Sequence, residues 1–185
     1  MKRIIAWILM FICIIGVQTS NAQSRISSVY GVNLGDSESV VTSKISGSWK
    51  TSNNGERYYQ TKNPKLGNCS FQLANFWFKG GKLNRVVFRS VTVYPLDTGI
   101  PGNTYANPIY DRFIQEAEET YKSIFNEMRF NLTDKYGTPR INDSNKAQWS
   151  SNGNQIEVSY EYLPSSRSTA VRVMYSVKDN SNSNF

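Results

Sequence analysis

The sequence predicts an α+β fold of two tandem α-β-β-β modules, each a helix packed on an antiparallel sheet. Three observations carry that prediction. Two stretches, "GSWKTSNNGERYY" from Gly47 and "AQWSSNGNQIEVSY" from Ala147, share a Trp, a polar run holding Asn-Gly and a β-prone segment. An apolar stripe of helical period precedes each of them. Strand-like alternation, punctuated by Gly-rich turns, follows each of them.

The N-terminus reads as an address. Met1-Lys2-Arg3 is basic, Ile4 to Val17 is almost wholly apolar, and Ser20-Asn21-Ala22 places small residues where a signal peptidase needs them. Residues 1–22 are therefore expected to be a signal peptide cleaved before Gln23. The apolar run is shorter than the ~20 residues a membrane span takes. Cys13 follows Ile12, whereas a lipidation site carries a small residue there. After cleavage the formal charge falls from +7 to +5, and Cys69 is the one cysteine left. No intramolecular disulfide can then form, and Cys69 is expected to be a small buried hydrophobe.

The first module spans 23–94. Asp36 is placed to cap a short helix bearing Val40, Val41 and Ile45 and ended by Gly47. Trp49 opens a strand, Asn54-Gly55 turns it, and Glu56 to Thr61 returns. A loop from Lys62 to Asn68 leads to the strands Ser70 to Lys79 and Lys82 to Tyr94, joined by Gly80-Gly81. Residues 95–106, rich in Pro, Gly and Asn, form a linker.

The second module spans 107–178. Asn107 can cap a long helix, and Pro108 at its first position has no N–H to lose. Ile109, Phe113, Ala117, Tyr121, Ile124, Phe125, Met128, Leu132 and Tyr136 recur at helical spacing, and Gly137 and Pro139 supply the stop. The opposite face carries Arg112, Glu116, Glu118, Glu119, Lys122 and Glu127, a solvated charge run with weak i,i+4 pairs. Asn152-Gly153 is a two-residue hairpin signal, since both residues accept positive φ. Ile156, Val158, Tyr160 and Tyr162 then alternate with polar residues. Residues 164–168 turn the chain, and Val171, Val173, Tyr175 and Val177 form another apolar row. Residues 179–185 read as a frayed tail.

"GVNLGDSESVVTSKISGSW" resembles the turn, capped helix and following Trp of small α-β-β-β envelope domains. "LTDKYGTPR…AQW…NGNQIEVSY…VRVMY" is similar to the helix-to-meander portion of the same plan. The family is the BamE-like and β-lactamase-inhibitor-protein-like group, and the resemblance covers most of Val29 to Val177. It implies a protein that binds other proteins and is not an enzyme. Unlike such relatives, this chain has neither a lipidation Cys at its mature start nor a disulfide pair.

Catalytic chemistry is scarce. The chain contains no histidine, which removes Ser-His-Asp and Cys-His sites together with the usual metal ligands. It has no P-loop, GxGxxG, EF-hand loop or Ser-x-x-Lys. No cofactor or metal is expected, and no enzyme. Two carboxylates such as Glu157 and Glu161 could in principle hydrolyse a glycosidic bond, but both sit where a strand presents solvated carboxylates anyway. The three Asn-x-Ser/Thr sequons, at Asn68, Asn131 and Asn142, are what composition alone yields.

Charge asymmetry is the functional signal. Residues 23–102 carry ten Lys and Arg against four Asp and Glu, and residues 103–185 carry nine against ten. A two-residue turn at Gly80-Gly81 predicts Lys79 opposite Lys82, Phe78 opposite Leu83, Phe76 opposite Arg85 and Gln72 opposite Arg89. One face then holds Phe71, Leu73, Trp77, Val86 and Phe88 as core. The other holds Phe76, Phe78, Arg85 and Arg89, flanked by Lys79 and Lys82, a mixture typical of protein-binding hot spots. That face either meets a partner or packs on the second module. The expected function is a secreted or periplasmic binding module for an acidic protein or envelope polyanion, with no nucleic-acid partner and no transmembrane helix after cleavage. The alternative is a glycan-binding or glycan-hydrolysing protein using Trp49, Trp77 and Trp149.

Overall fold

Period-2 alternation in both halves of the chain resolves into a single antiparallel sheet. The computed structural model describes residues 25–93, 108–163 and 168–178. The expected signal peptide 1–22 with its cut before Gln23, the linker 95–106, the Asn107 cap, residues 164–167 of the turn expected at 164–168 and the tail 179–185 lie outside the described residues, while Ser168 opens a strand. The fold is mixed α/β, with two helices and one large sheet among those residues.

The chain enters through a small hairpin, β1 (Ser28–Val29) and β2 (Val32–Asn33). Helix α1 (Glu38–Lys44) follows, and its N-cap is Ser37, whose hydroxyl accepts from the Val40 N–H at 3.4 Å. Asp36, the expected cap, has other work. Its carboxylate accepts from the Asn33 N–H at 2.9 Å, and its carbonyl accepts from the Leu83 N–H at 2.7 Å. The first half then supplies β3 (Ser48–Thr51), β4 (Arg57–Lys62), a minor hairpin of β5 (Lys65–Leu66) and β6 (Cys69–Ser70), β7 (Leu73–Lys79) and β8 (Lys82–Val93). A methyl at Gly47 would lie 2.3 Å from the Gln60 carbonyl oxygen, so only glycine lets the α1–β3 connection approach β4 this closely.

Helix α2 (Pro108–Tyr136) has the bounds its Pro and Gly signals predict. Gly137 ends it at φ +79°, its N–H donating to the Thr133 carbonyl at 2.8 Å. Tyr121, Phe125, Met128, Leu132 and Tyr136 are buried along one stripe. The side chains of Ile109 and Phe113 lie outside the described residues. After α2 come β9 (Ile141–Asn142), β10 (Lys146–Ser151), β11 (Asn154–Leu163) and β12 (Ser168–Val177). Asn152 and Gly153 take φ +51° and +76°, giving the two-residue turn read from the sequence, with Ser151 opposite Asn154.

The strand order is β3-β4-β7-β8-β12-β11-β10-β9. The strands of the two halves thus share one sheet, joined where β8 pairs antiparallel with β12 from Arg85–Ser176 to Val93–Ser168. Both helices lie on one face. Val41 and Ile45 of α1, the α2 stripe, and Ile26, Val29 and Val32 share a core with Tyr59, Phe76, Phe88, Trp149, Val158 and Val173 of the sheet. The two Trp of the doubled pattern differ here. Trp149 is 1 % exposed and donates its indole N–H to the Gly137 carbonyl at 2.8 Å. Trp49, nearer the sheet edge, is half-buried against Tyr59 and Phe78, with the Arg57 guanidinium 3.7 Å above its ring.

Cys69 is buried, as its isolation in the sequence predicts. Burial, and then the Glu127 carboxylate that the thiol faces from β6, push its pKa up to about 12. The thiolate is the reactive form, so iodoacetamide at mildly alkaline pH should leave the folded protein unmodified and label it fully in denaturant. Labelling of the folded protein at the rate of a free thiol would contradict this. No helix among the described residues is long and apolar enough to cross a membrane.

Candidate functional site

The sheet face away from the helices is the candidate site, and a single β-bulge decides its composition. The turn at Gly80-Gly81 sets Lys79 opposite Lys82 and Phe78 opposite Leu83, as the sequence predicts. The register then shifts between Phe78 and Trp77, so that Asn84 is an extra residue on β8 and Trp77, not Phe76, meets Arg85. Because side chains alternate with period two, a one-residue slip exchanges the faces of everything beyond it.

Phe76 pairs with Val86 and Ala74 with Phe88, and all four are 0 % exposed in the core. Phe78 packs half-buried against the same core. The expected grouping of Phe76 and Phe78 with Arg85 and Arg89 is therefore corrected. The aromatics point at the helices, and the two Arg point the other way. Lys79 and Lys82 are exposed at the hairpin tip, and the Lys82 backbone forms an isolated antiparallel β-bridge with Ser37. Trp77 and Leu73, assigned to the core by the uninterrupted register, take the open face beside Arg85 and Arg89.

Cross-strand register orders that face into rows. One runs Lys50, Tyr58, Trp77, Arg85 over β3, β4, β7 and β8. Tyr58 and Trp77 stack at 4.4 Å between ring centroids, and the Arg85 guanidinium lies 4.9 Å from the Trp77 centroid. The middle row holds Gln60, Asn75, Val87, Met174 and Glu157. A further row runs Lys62, Leu73, Arg89, Arg172, Ser159, Lys146 across six strands. Since β12 continues β8 edge to edge, the second half extends this face instead of covering it.

Glu157 is the best-satisfied charge on the face. Its residue is 6 % exposed, held by the Lys146 ammonium at 2.9 Å and the Arg172 guanidinium at 3.0 Å. A carboxylate buried to that depth needs such partners, so Glu157 is not the solvated side chain expected of it. Glu161 shares Arg172 at 3.5 Å. Neither Arg85 nor Arg89 has a carboxylate within salt-bridge distance among the described residues, and Arg89 is exposed. A cleft of about 330 Å³ opens between the rows, bordered by Trp77, Arg85, Arg89, Ser159, Glu161 and Arg172.

Sequence reasoning missed Tyr58, Ser159 and Arg172, and named Trp77 only for the glycan alternative while placing it in the core. The signal for Arg172 was present, because it sits between the apolar Val171 and Val173 at an outward position. Nothing local announced the bulge at Asn84. Among the described residues no three His, Cys, Asp or Glu side chains come together to hold a metal. No family model, curated protein or solved structure matches this chain.

Proposed function

We propose that the protein is a secreted or periplasmic, non-enzymatic binding module whose open sheet face receives an acidic protein. It would be built of two α-β-β-β units. The strand order supports that reading, since one meander, β3-β4-β7-β8, meets a second in reversed order, β12-β11-β10-β9. Such a plan is what the resemblance to BamE-like and β-lactamase-inhibitor-protein-like proteins implies. The observation that carries the binding role is the Tyr58–Trp77–Arg85 stack, with Arg89 four residues further along β8, on a face that neither helix covers. Rigid aromatics and Arg give large contact area at low ordering cost, and an Arg over a ring gains more when a partner excludes water from it.

The test is Arg85→Glu combined with Arg89→Glu. Wild-type protein would be crosslinked in envelope extract of the producing cell, and the captured protein purified and titrated. The double variant should melt near the wild-type temperature and lose binding, and wild-type binding should weaken as salt rises. A stable double variant that binds as wild type does would remove this face from consideration. Capture that needs the face but ignores salt would favour the glycan reading, and capture of a polyanionic polymer in place of a protein would replace the proposed partner.

A further inference from the structure

We infer that Arg89, Arg172 and Ser159 form a subsite for a single oxyanion, a carboxylate or phosphoryl group, on the open face. The inference holds whether or not the wider face binds a protein. Arg89 and Arg172 stand directly opposite each other across the β8–β12 junction. At such positions Cβ atoms are ~5 Å apart and like charges destabilise the pairing. Only one of the two is compensated. Glu157 and Glu161 both contact Nη2 of Arg172, at 3.0 Å and 3.5 Å. The Arg89 side chain has no hydrogen bond or ion pair among the described residues.

Three residues that line the same cleft, Arg85, Ser159 and Arg172, each carry a buried donor without an acceptor. The Nε of Arg172 is buried and unpartnered. On its other flank Ser159, opposite Arg172 in the β11–β12 register, is 3 % exposed, and its hydroxyl is likewise unpartnered. A buried donor without an acceptor carries its desolvation cost uncompensated. One oxyanion meets both needs at once, because its oxygens accept from the hydroxyl and guanidinium and its charge lies between two cations. Glu161 also lines the cleft, but its charge is already spent on Arg172. Lys146, next to Ser159 on β10, keeps the row net positive beside Glu157.

The site makes opposite demands with and without its ligand, and that is what the experiment reads. Melting of the mature chain would be followed in sodium phosphate, sodium acetate and sodium chloride at equal ionic strength, with calorimetric titration of phosphate. Wild type should melt higher in phosphate or acetate than in chloride. Arg89→Gln should melt higher than wild type in chloride, because the like-charge pair is gone, and should bind phosphate about tenfold more weakly. Ser159→Ala, which removes a buried unpartnered hydroxyl, should also keep its fold and bind less well. A rise in acetate assigns the site to carboxylates, and a rise in phosphate alone assigns it to phosphoryl groups. Wild type that melts alike in all three salts overturns the inference, and so does Arg89→Gln with an undiminished phosphate response.

Discussion

Trp149→Ala should cost ~3–5 kcal/mol of unfolding free energy, the range for emptying a large aromatic site in a core. Trp149 lies mid-strand opposite Ile156, 1 % exposed, between the C-terminal end of α2 and the β10–β11 hairpin. Two losses combine there. The indole leaves a cavity that rigid neighbours on helix and sheet cannot fill. Its N–H also abandons the Gly137 carbonyl at the end of α2, an acceptor satisfied at 2.8 Å in the wild type. For a domain whose whole stability is ~5–15 kcal/mol, such a loss brings the urea midpoint down sharply. Trp149→Phe should recover most of the packing and leave ~1 kcal/mol missing for the hydrogen bond. Trp49→Ala should cost only ~1–2 kcal/mol, since part of its ring is in water already. Equal costs at the two Trp would mean that the half-buried setting of Trp49 is wrong.

Phe76→Ala and Trp77→Ala are neighbours in sequence and should fail in opposite ways. Phe76 is 0 % exposed, and Tyr30 packs a tilted ring on it at 6.5 Å between centroids, so truncation should cost ~3–5 kcal/mol. Protein that still folds should bind the acidic partner with unchanged affinity. Trp77 points to the open face, with Tyr58 stacked on one side and Arg85 on the other. Its removal should cost ~1 kcal/mol of stability, on the scale of an aromatic pair, and should abolish binding. Urea denaturation and a binding titration on both variants separate the two effects. A binding loss confined to Phe76→Ala, with Trp77→Ala competent, would restore the uninterrupted register and reverse the assignment of faces.

How much was readable in advance follows the range of the forces involved. Helix α2 was legible to its ends because an apolar stripe, Pro108 and Gly137 are signals within one segment. The turns at Asn152-Gly153 and Gly80-Gly81 were legible because positive φ is a property of those residues alone. The burial of Cys69 followed from residue type. The choice of Ser37 over Asp36 as cap did not, because both can cap and only the nearby Asn33 and Leu83 backbone claims Asp36. The alternation of β7 and β8 was also legible, each strand taken separately. What they share was decided at Asn84, where one extra residue turns Arg85, Val87 and Arg89 away from Phe76 and toward Trp77. Register is a property of two strands and of the core that one face must bury, so no local pattern contains it. The same is true of the β8–β12 junction, which brings Arg89 against Arg172 from the far half of the chain. The sequence by itself determined the segments, their turns and an excess of positive charge. The tertiary structure alone decided which cations share a face, because that depends on long-range strand pairing and on which side the helices cover.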